Sequence, residues 1–177
     1  DNIGSIMKDM GFDVMTNPFG TLYNPVSVCT SIRRLDSAVP FSEDECVQMG
    51  AGSQLFCSFS HHTAAARSSK EEFLAEVNAA LSDANAFFRR ASTIIITLGT
   101  AWTFRFNATG EIVSNCLKRD AKEFTRECLP LRTCEVLLNS LVDRYPSKRF
   151  IFTVSPIRHL KDGAHGNQLS KSTLLLA

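Results

Sequence analysis

The stretch that decides the fold is Ser92 to Phe104, STIIITLGTAWTF. Ile94 to Thr97 form an unbroken β-branched run, and Leu98 carries it to Gly99, Thr100 and a tryptophan. A run that serves both faces predicts a central strand covered above and below, the pattern of a parallel sheet. Gly99 and Thr100 then stand just past the carboxyl end of that strand, where open α/β sheets bind ligands.

Working outward, Ser68 to Arg90 predicts the clearest helix, which delivers the chain into this strand. Ser68 with Glu71 and Ser69 with Glu72 offer alternative capping boxes, and Arg89 and Arg90 suit the last turn. Phe73, Leu74, Val77, Leu81, Ala84, Phe87 and Phe88 make its apolar face. Downstream, Phe104 to Val113 reads as a hairpin turning at Asn107 to Gly110. Leu131 to Tyr145 predicts a second helix ended by Pro146, and Arg149 to Val154 a second parallel strand. Strand, helix and strand in this order make a βαβ unit. It brings the Gly99 loop and the loop of Ser155 to His159 to one edge of the sheet.

Before the long helix the signals are shorter. Asn2 to Met10 predicts a helix stopped by Gly11, and Phe12, Val14 and Met15 a strand. NPFGTLYNP, residues 17 to 25, reads as an ordered loop, because each Asn before Pro is pushed out of the helical region. Val26 to Leu35 predicts a short helix, and Phe41 to Met49 another, opened by a Ser42–Glu45 capping box. In FCSFSHHT, residues 56 to 63, adjacent His61 and His62 on a strand would face opposite ways, a poor arrangement for one metal. A lone histidine in such a setting reads first as a hydrogen-bonded structural group. The closing LSKSTLLLA reads as a helix entering the core. The absence of an initiating Met and this ending suggest an internal piece of a longer protein.

Composition bounds the rest. At 177 residues with 44% hydrophobic content, the chain predicts one substantial core and one domain spanning 1–177. Its 19 basic and 18 acidic residues leave a net charge of +1, which gives no electrostatic case for nucleic acid or an anionic membrane. No apolar run reaches the roughly 20 residues of a membrane span. Cys29, Cys46, Cys57, Cys116, Cys128 and Cys134 are scattered with no CxxC pair, favouring reduced cysteines and a cytosolic setting. A signal peptide would have to precede Asp1. No GxSxG, GxGxxG, GKS/T or HExxH motif occurs, so pattern alone stops at an α/β domain with a loop-built site.

Five segments in this order, NPFGTLYNP, SFSHHT, ITLGTAW, SNCLKR and TVSPIRHLKDG, resemble the GSCFA family, a branch of the SGNH/GDSL-like hydrolases. The resemblance runs over essentially the whole chain. It implies a three-layer α/β/α fold of flavodoxin-like type with a mainly parallel sheet. It implies a serine hydrolase for ester bonds that needs no metal or organic cofactor, with a small-molecule or carbohydrate ester as substrate. The family's namesake motif carries the nucleophile and would lie upstream of Asp1, and an acid–histidine motif would lie beyond Ala177. Gly20 resembles the family's second-block glycine. Gly99 and Thr100 resemble the third block, usually Gly-x-Asn-Asp, but here the Asn is missing. Thr100 or Asn115 then stands as a substitute oxyanion donor. His62 and His159 are the candidate catalytic histidines, and Asn24 and Arg158 shape the pocket, Arg158 suiting a substrate carboxylate or phosphate. Two further readings stand beside this one. One is an inactive ligand- or carbohydrate-binding module on the same fold. The other is a Cys-His hydrolase with Cys116 as nucleophile and His159 as base, since Lys118 and Arg119 would lower the thiol pKa.

Overall fold

A computed structural model describes residues 2–177. In chain order its elements are α1 (Asn2–Asp9), α2 (Pro25–Ser37), β1 (Val47–Gln48), β2 (Phe56–Cys57), α3 (Lys70–Arg90), β3 (Thr93–Leu98), β4 (Trp102–Phe106), β5 (Ile112–Val113), β6 (Phe124–Cys128), α4 (Leu131–Arg144), β7 (Arg149–Val154) and α5 (Gly163–Leu176). The architecture is mixed α and β, with a parallel pair at its centre.

Local chemistry sets the helix ends. Asn24, in extended backbone, accepts the Ser27 N–H on its Oδ1 at 2.9 Å, and Pro25 occupies the first turn, so α2 starts there. Ala38 ends it in the left-handed region, its N–H returning to the Arg34 carbonyl. Of the two caps open to α3, the second is used: Ser69 Oγ accepts the Glu72 N–H at 3.1 Å. The inward face of α3 buries Phe73, Val77, Leu81, Ala84 and Phe88. These join Cys29, Ile32 and Leu35 of α2, Cys134, Leu138 and Leu141 of α4, and Leu174 of α5 in one core.

Strands β3 and β7 pair in parallel and in register from Thr93 opposite Arg149 to Leu98 opposite Val154. The Ser155 N–H extends the ladder to the Leu98 carbonyl at 2.8 Å. The predicted βαβ unit is therefore present, and the Gly99 loop and the Ser155–His159 loop leave the same edge. Two expectations need correction. The parallel sheet is present, but among the described residues it consists of β3 and β7 alone, and the other strands form two separate antiparallel sheets. After Gly99 the chain reverses, and β4 pairs antiparallel with both β5 and β6. Nor is β3 covered on both faces. Ile94, Ile96 and Leu98 face the core, while Thr93, Ile95, Thr97, Arg149, Ile151 and Thr153 share an exposed face. β-branching there serves the pleat and the Thr97–Thr153 hydroxyl contact of 2.9 Å rather than burial against a helix.

Two shorter predictions also fail. The helix expected over Phe41 to Met49 is one 3-10 turn, Glu43–Glu45, followed by β1. The capping signal is real, since the Glu45 carboxylate accepts the Ser42 N–H at 3.1 Å and pairs with Arg34. Burying Cys46 and Met49 from extended backbone overrides it after that turn. Phe12 to Met15 forms no strand, because no neighbouring strand pairs with it. The Phe104 to Val113 hairpin holds, with Phe104 opposite Val113 and Gly110 at φ +76° in its turn.

Candidate active site

At the carboxyl edge of β3 the backbone is tied down from both sides. The N–H groups of Gly99 and Thr100 both donate to the Tyr23 carbonyl, at 2.7 and 3.1 Å. A Cβ on Gly99 would lie 2.9 Å from Tyr23 Cδ1 and 3.2 Å from its Cβ, so this close approach requires glycine. Thr100 Oγ1 accepts the Trp102 N–H at 3.1 Å and shares a hydrogen bond of the same length with Ser170 Oγ. Ser170 Oγ in turn accepts the Ala101 N–H at 2.7 Å. The Thr100 hydroxyl thus faces the protein interior, and both N–H groups of the Gly-Thr pair are occupied.

Helix α5 closes the same edge. Asn167 Oδ1 accepts the His159 backbone N–H at 3.0 Å, and Lys171 Nζ donates to the Gly99 carbonyl at 2.5 Å. Burial lowers the Lys171 pKa, against an opposing pull from Asp162. The His159 ring meets Tyr23 edge-on, centroids 6.2 Å apart. Tyr23, Gly99, Thr100 and His159 therefore form one neighbourhood with Asn167, Ser170 and Lys171. Sequence reading missed the contribution of α5. Its signal was a polar packing face: Asn167, Ser170 and Lys171 share one face with buried Leu174, at i, i+3, i+4 and i+7.

The other predicted residues lie in separate surroundings. Gly20, at φ +83°, sits against His62, and a Cβ there would overlap the His62 Cβ. The His62 N–H donates to the Phe19 carbonyl at 2.9 Å, and its Nδ1 accepts the Ala64 N–H at 3.2 Å. In neutral His62 the proton therefore sits on Nε2, which makes that nitrogen a donor. Asn24 is buried, with its Oδ1 engaged in capping α2. Asn115 uses its Oδ1 on the Leu117 N–H at 2.8 Å, supporting a turn in which Leu117 and Lys118 take φ of +52° and +56°. Arg158 is exposed beside His159.

Two constellations look reactive and are not. Ser58 Oγ lies 2.7 Å from His61 Nδ1, a nucleophile–base distance, but the two residues are 1% and 2% exposed. The rings of Phe19, Phe41 and Phe73 surround His61 at 4.6 to 5.5 Å. Burial, aided by Arg34, pushes the imidazole down to about 4. This pair is sealed. The Cys116 thiol, whose cationic neighbours offered activation as an alternative reading, is instead raised to about 11 by burial. Arg119 turns away to Glu123 and the Gln48 carbonyl. The activated-cysteine expectation is overturned on that ground. All six cysteines are free thiols. Among the described residues no group of three His, Cys, Asp or Glu side chains is placed to hold a metal ion. No helix there is long and apolar enough to cross a membrane.

Compared with known proteins, the chain matches the model of the GSCFA family over residues 1–177. No curated protein and no solved structure matches it. With the match spanning the whole sequence, the chain belongs to the GSCFA family.

Proposed function

We propose that the Gly99–His159 edge belongs to the active site of an SGNH-type serine hydrolase that cleaves ester bonds. The observation that carries this reading is the in-register parallel pairing of β3 and β7. It sets two loops side by side at the carboxyl edge, with His159 beside the Gly99 turn. A Gly-Ser-Cys-Phe-Ala motif does not occur within the 177 residues, so this reading takes its nucleophile from outside them. In the reaction, the serine oxygen attacks the ester carbonyl as an imidazole accepts its proton. The tetrahedral oxyanion collapses, the alcohol leaves with that proton, and water then releases the acid. Within residues 2–177 His159 is the imidazole best placed for the proton, because neither of its ring nitrogens is hydrogen-bonded there; the acid–histidine motif that the resemblance puts beyond Ala177 is the other source. His62 serves as an Nε2 donor. The small-molecule or carbohydrate ester, the three-layer fold and the pocket roles of Gly20, Asn24, Asn115 and Arg158 are parts of the same proposal.

Hydrolysis of 4-nitrophenyl acetate by the complete natural protein tests it. Turnover that disappears on Ser→Ala in the namesake motif is expected. A well-folded protein with no turnover on any short-chain ester contradicts it.

One observation favours a second reading, a ligand- or carbohydrate-binding module on the same fold. Ala101 stands where the third block usually has Asn and offers no side-chain donor, while the hydroxyl and N–H of the preceding Thr100 are both engaged within the protein. That removes donors which each typically contribute about 3 kcal/mol to acyl transfer. Binding of acetylated sugars without turnover would select this reading.

A further inference from the structure

Lys171 is a half-buried ammonium at the carboxyl edge whose hydrogen-bond partner is a neutral carbonyl, that of Gly99. Among the described residues it makes no ion pair. The acid nearest in influence, Asp162, is already paired with Arg126, and its side chain is only 3% exposed. Arg126 is further held over the Trp102 ring at 4.1 Å, which fixes that ion pair in place. One helical turn before Lys171, Asn167 holds the backbone of His159, and the exposed Arg158 precedes it. Lys171 and Arg158 are thus two cations that make no ion pair among the described residues. A partly desolvated ammonium bonded only to a carbonyl retains donors and charge for an anion. Surface lysines elsewhere need no such account. This one lies on the packing face of α5, bonded to the Gly99 turn.

We propose that Lys171, together with Arg158 from the loop that Asn167 holds to α5, binds an anionic group on the substrate, so that the favoured ester bears a carboxylate or a phosphate. This rests on the hydrolase reading for its ester, but the anion site can be tested without turnover. In the complete natural protein, kcat/KM is compared for 4-nitrophenyl hemiglutarate and the neutral 4-nitrophenyl butyrate. The anionic ester should be favoured. Lys171→Met should reduce that preference about tenfold, chiefly through KM, as expected for loss of a charged hydrogen bond. Lys171→Arg should restore most of it. An unchanged preference in a folded Lys171→Met protein overturns the proposal.

If neither ester is cleaved, the hydrolase reading fails, and calorimetric titration with glutarate and with inorganic phosphate decides the anion site. About tenfold weaker binding of either in Lys171→Met supports it, and the stronger of the two identifies the source of the oxyanion. Equal binding by both proteins, or none by the natural one, overturns it. If Lys171→Met does not fold, the natural protein decides by its salt response. The preference, or the anion affinity, should fall as sodium chloride is raised to about 0.5 M, and indifference to salt overturns the proposal.

Discussion

Two neighbourhoods in this molecule hold an imidazole and hydroxyl side chains, and only the first brings the two into hydrogen-bond contact. Ser58 and His61 meet at 2.7 Å inside a cage of three phenylalanine rings. His159, at the carboxyl edge of the parallel pair, stands beside Tyr23, Gly99 and the Thr100–Ser170 hydroxyl pair. The first has a well-formed hydroxyl–imidazole contact and no access. The second has a partly exposed ring with nitrogens unengaged and an ammonium on the adjoining helix. Proximity of reactive groups is therefore a poor guide to a site. What separates structure from chemistry here is whether water and ligand can reach the pair, and whether its hydrogen bonds are already satisfied.

The largest expected effect lies in the sealed pair. His61→Ala removes a buried ring from among three others and leaves the Ser58 hydroxyl without its partner. Urea unfolding should register a loss of about 4 kcal/mol. A loss below about 1 kcal/mol would place His61 outside the load of the core and break the contrast.

The same residue predicts a pH dependence. Its folded pKa, about 4, lies below the ordinary histidine value of 6.5, so the unfolded chain binds a proton that the folded protein refuses. Stability from this group is complete above about pH 6.5 and is lost as the pH falls toward 4, amounting to about 3 kcal/mol over that window. Carboxylates titrate in the same range, so the quantity to follow is the difference between the natural protein and His61→Gln. A difference independent of pH would show that the imidazole takes up its proton as readily in the fold as in the unfolded chain.

The smallest effect belongs to the open edge. Ser170→Ala deprives the Ala101 N–H of its acceptor and Thr100 of its hydroxyl partner, costing about 2 kcal/mol in stability. Unlike His61→Ala, it should also lower ester turnover by more than its stability loss explains, because it loosens the Gly99 turn. Stability and turnover falling together in both variants would erase the distinction between the two neighbourhoods.

How much of this was legible in the sequence depends on how far apart the partners stand. β3, β7 and the helix between them are read from runs and caps within a few residues, and their register follows once both strands are found. The second of two adjacent caps, Ser69, needed the structure to choose it. The role of α5 was not legible, because Ser170 and Lys171 find their partners 69 and 72 residues upstream. Local pattern saw only a helix with leucines. The bare face of β3 escaped for another reason. A β-branched run records that both faces suit a pleated strand, and it does not record what lies over each. Among the site residues, Gly99 and His159 were correctly brought to one edge by topology, whereas Asn115 was nominated by type alone and is occupied with its own turn.

The most direct test of the account is fluorophosphonate labelling of the complete natural protein, with the modified residue located by peptide mapping. The account predicts one labelled serine, in the namesake motif outside these 177 residues, with Ser58 unmodified despite its 2.7 Å contact to His61. A label on Ser58 would contradict it, because the sealed pair would then be the reactive one and the Gly99–His159 edge its scaffold.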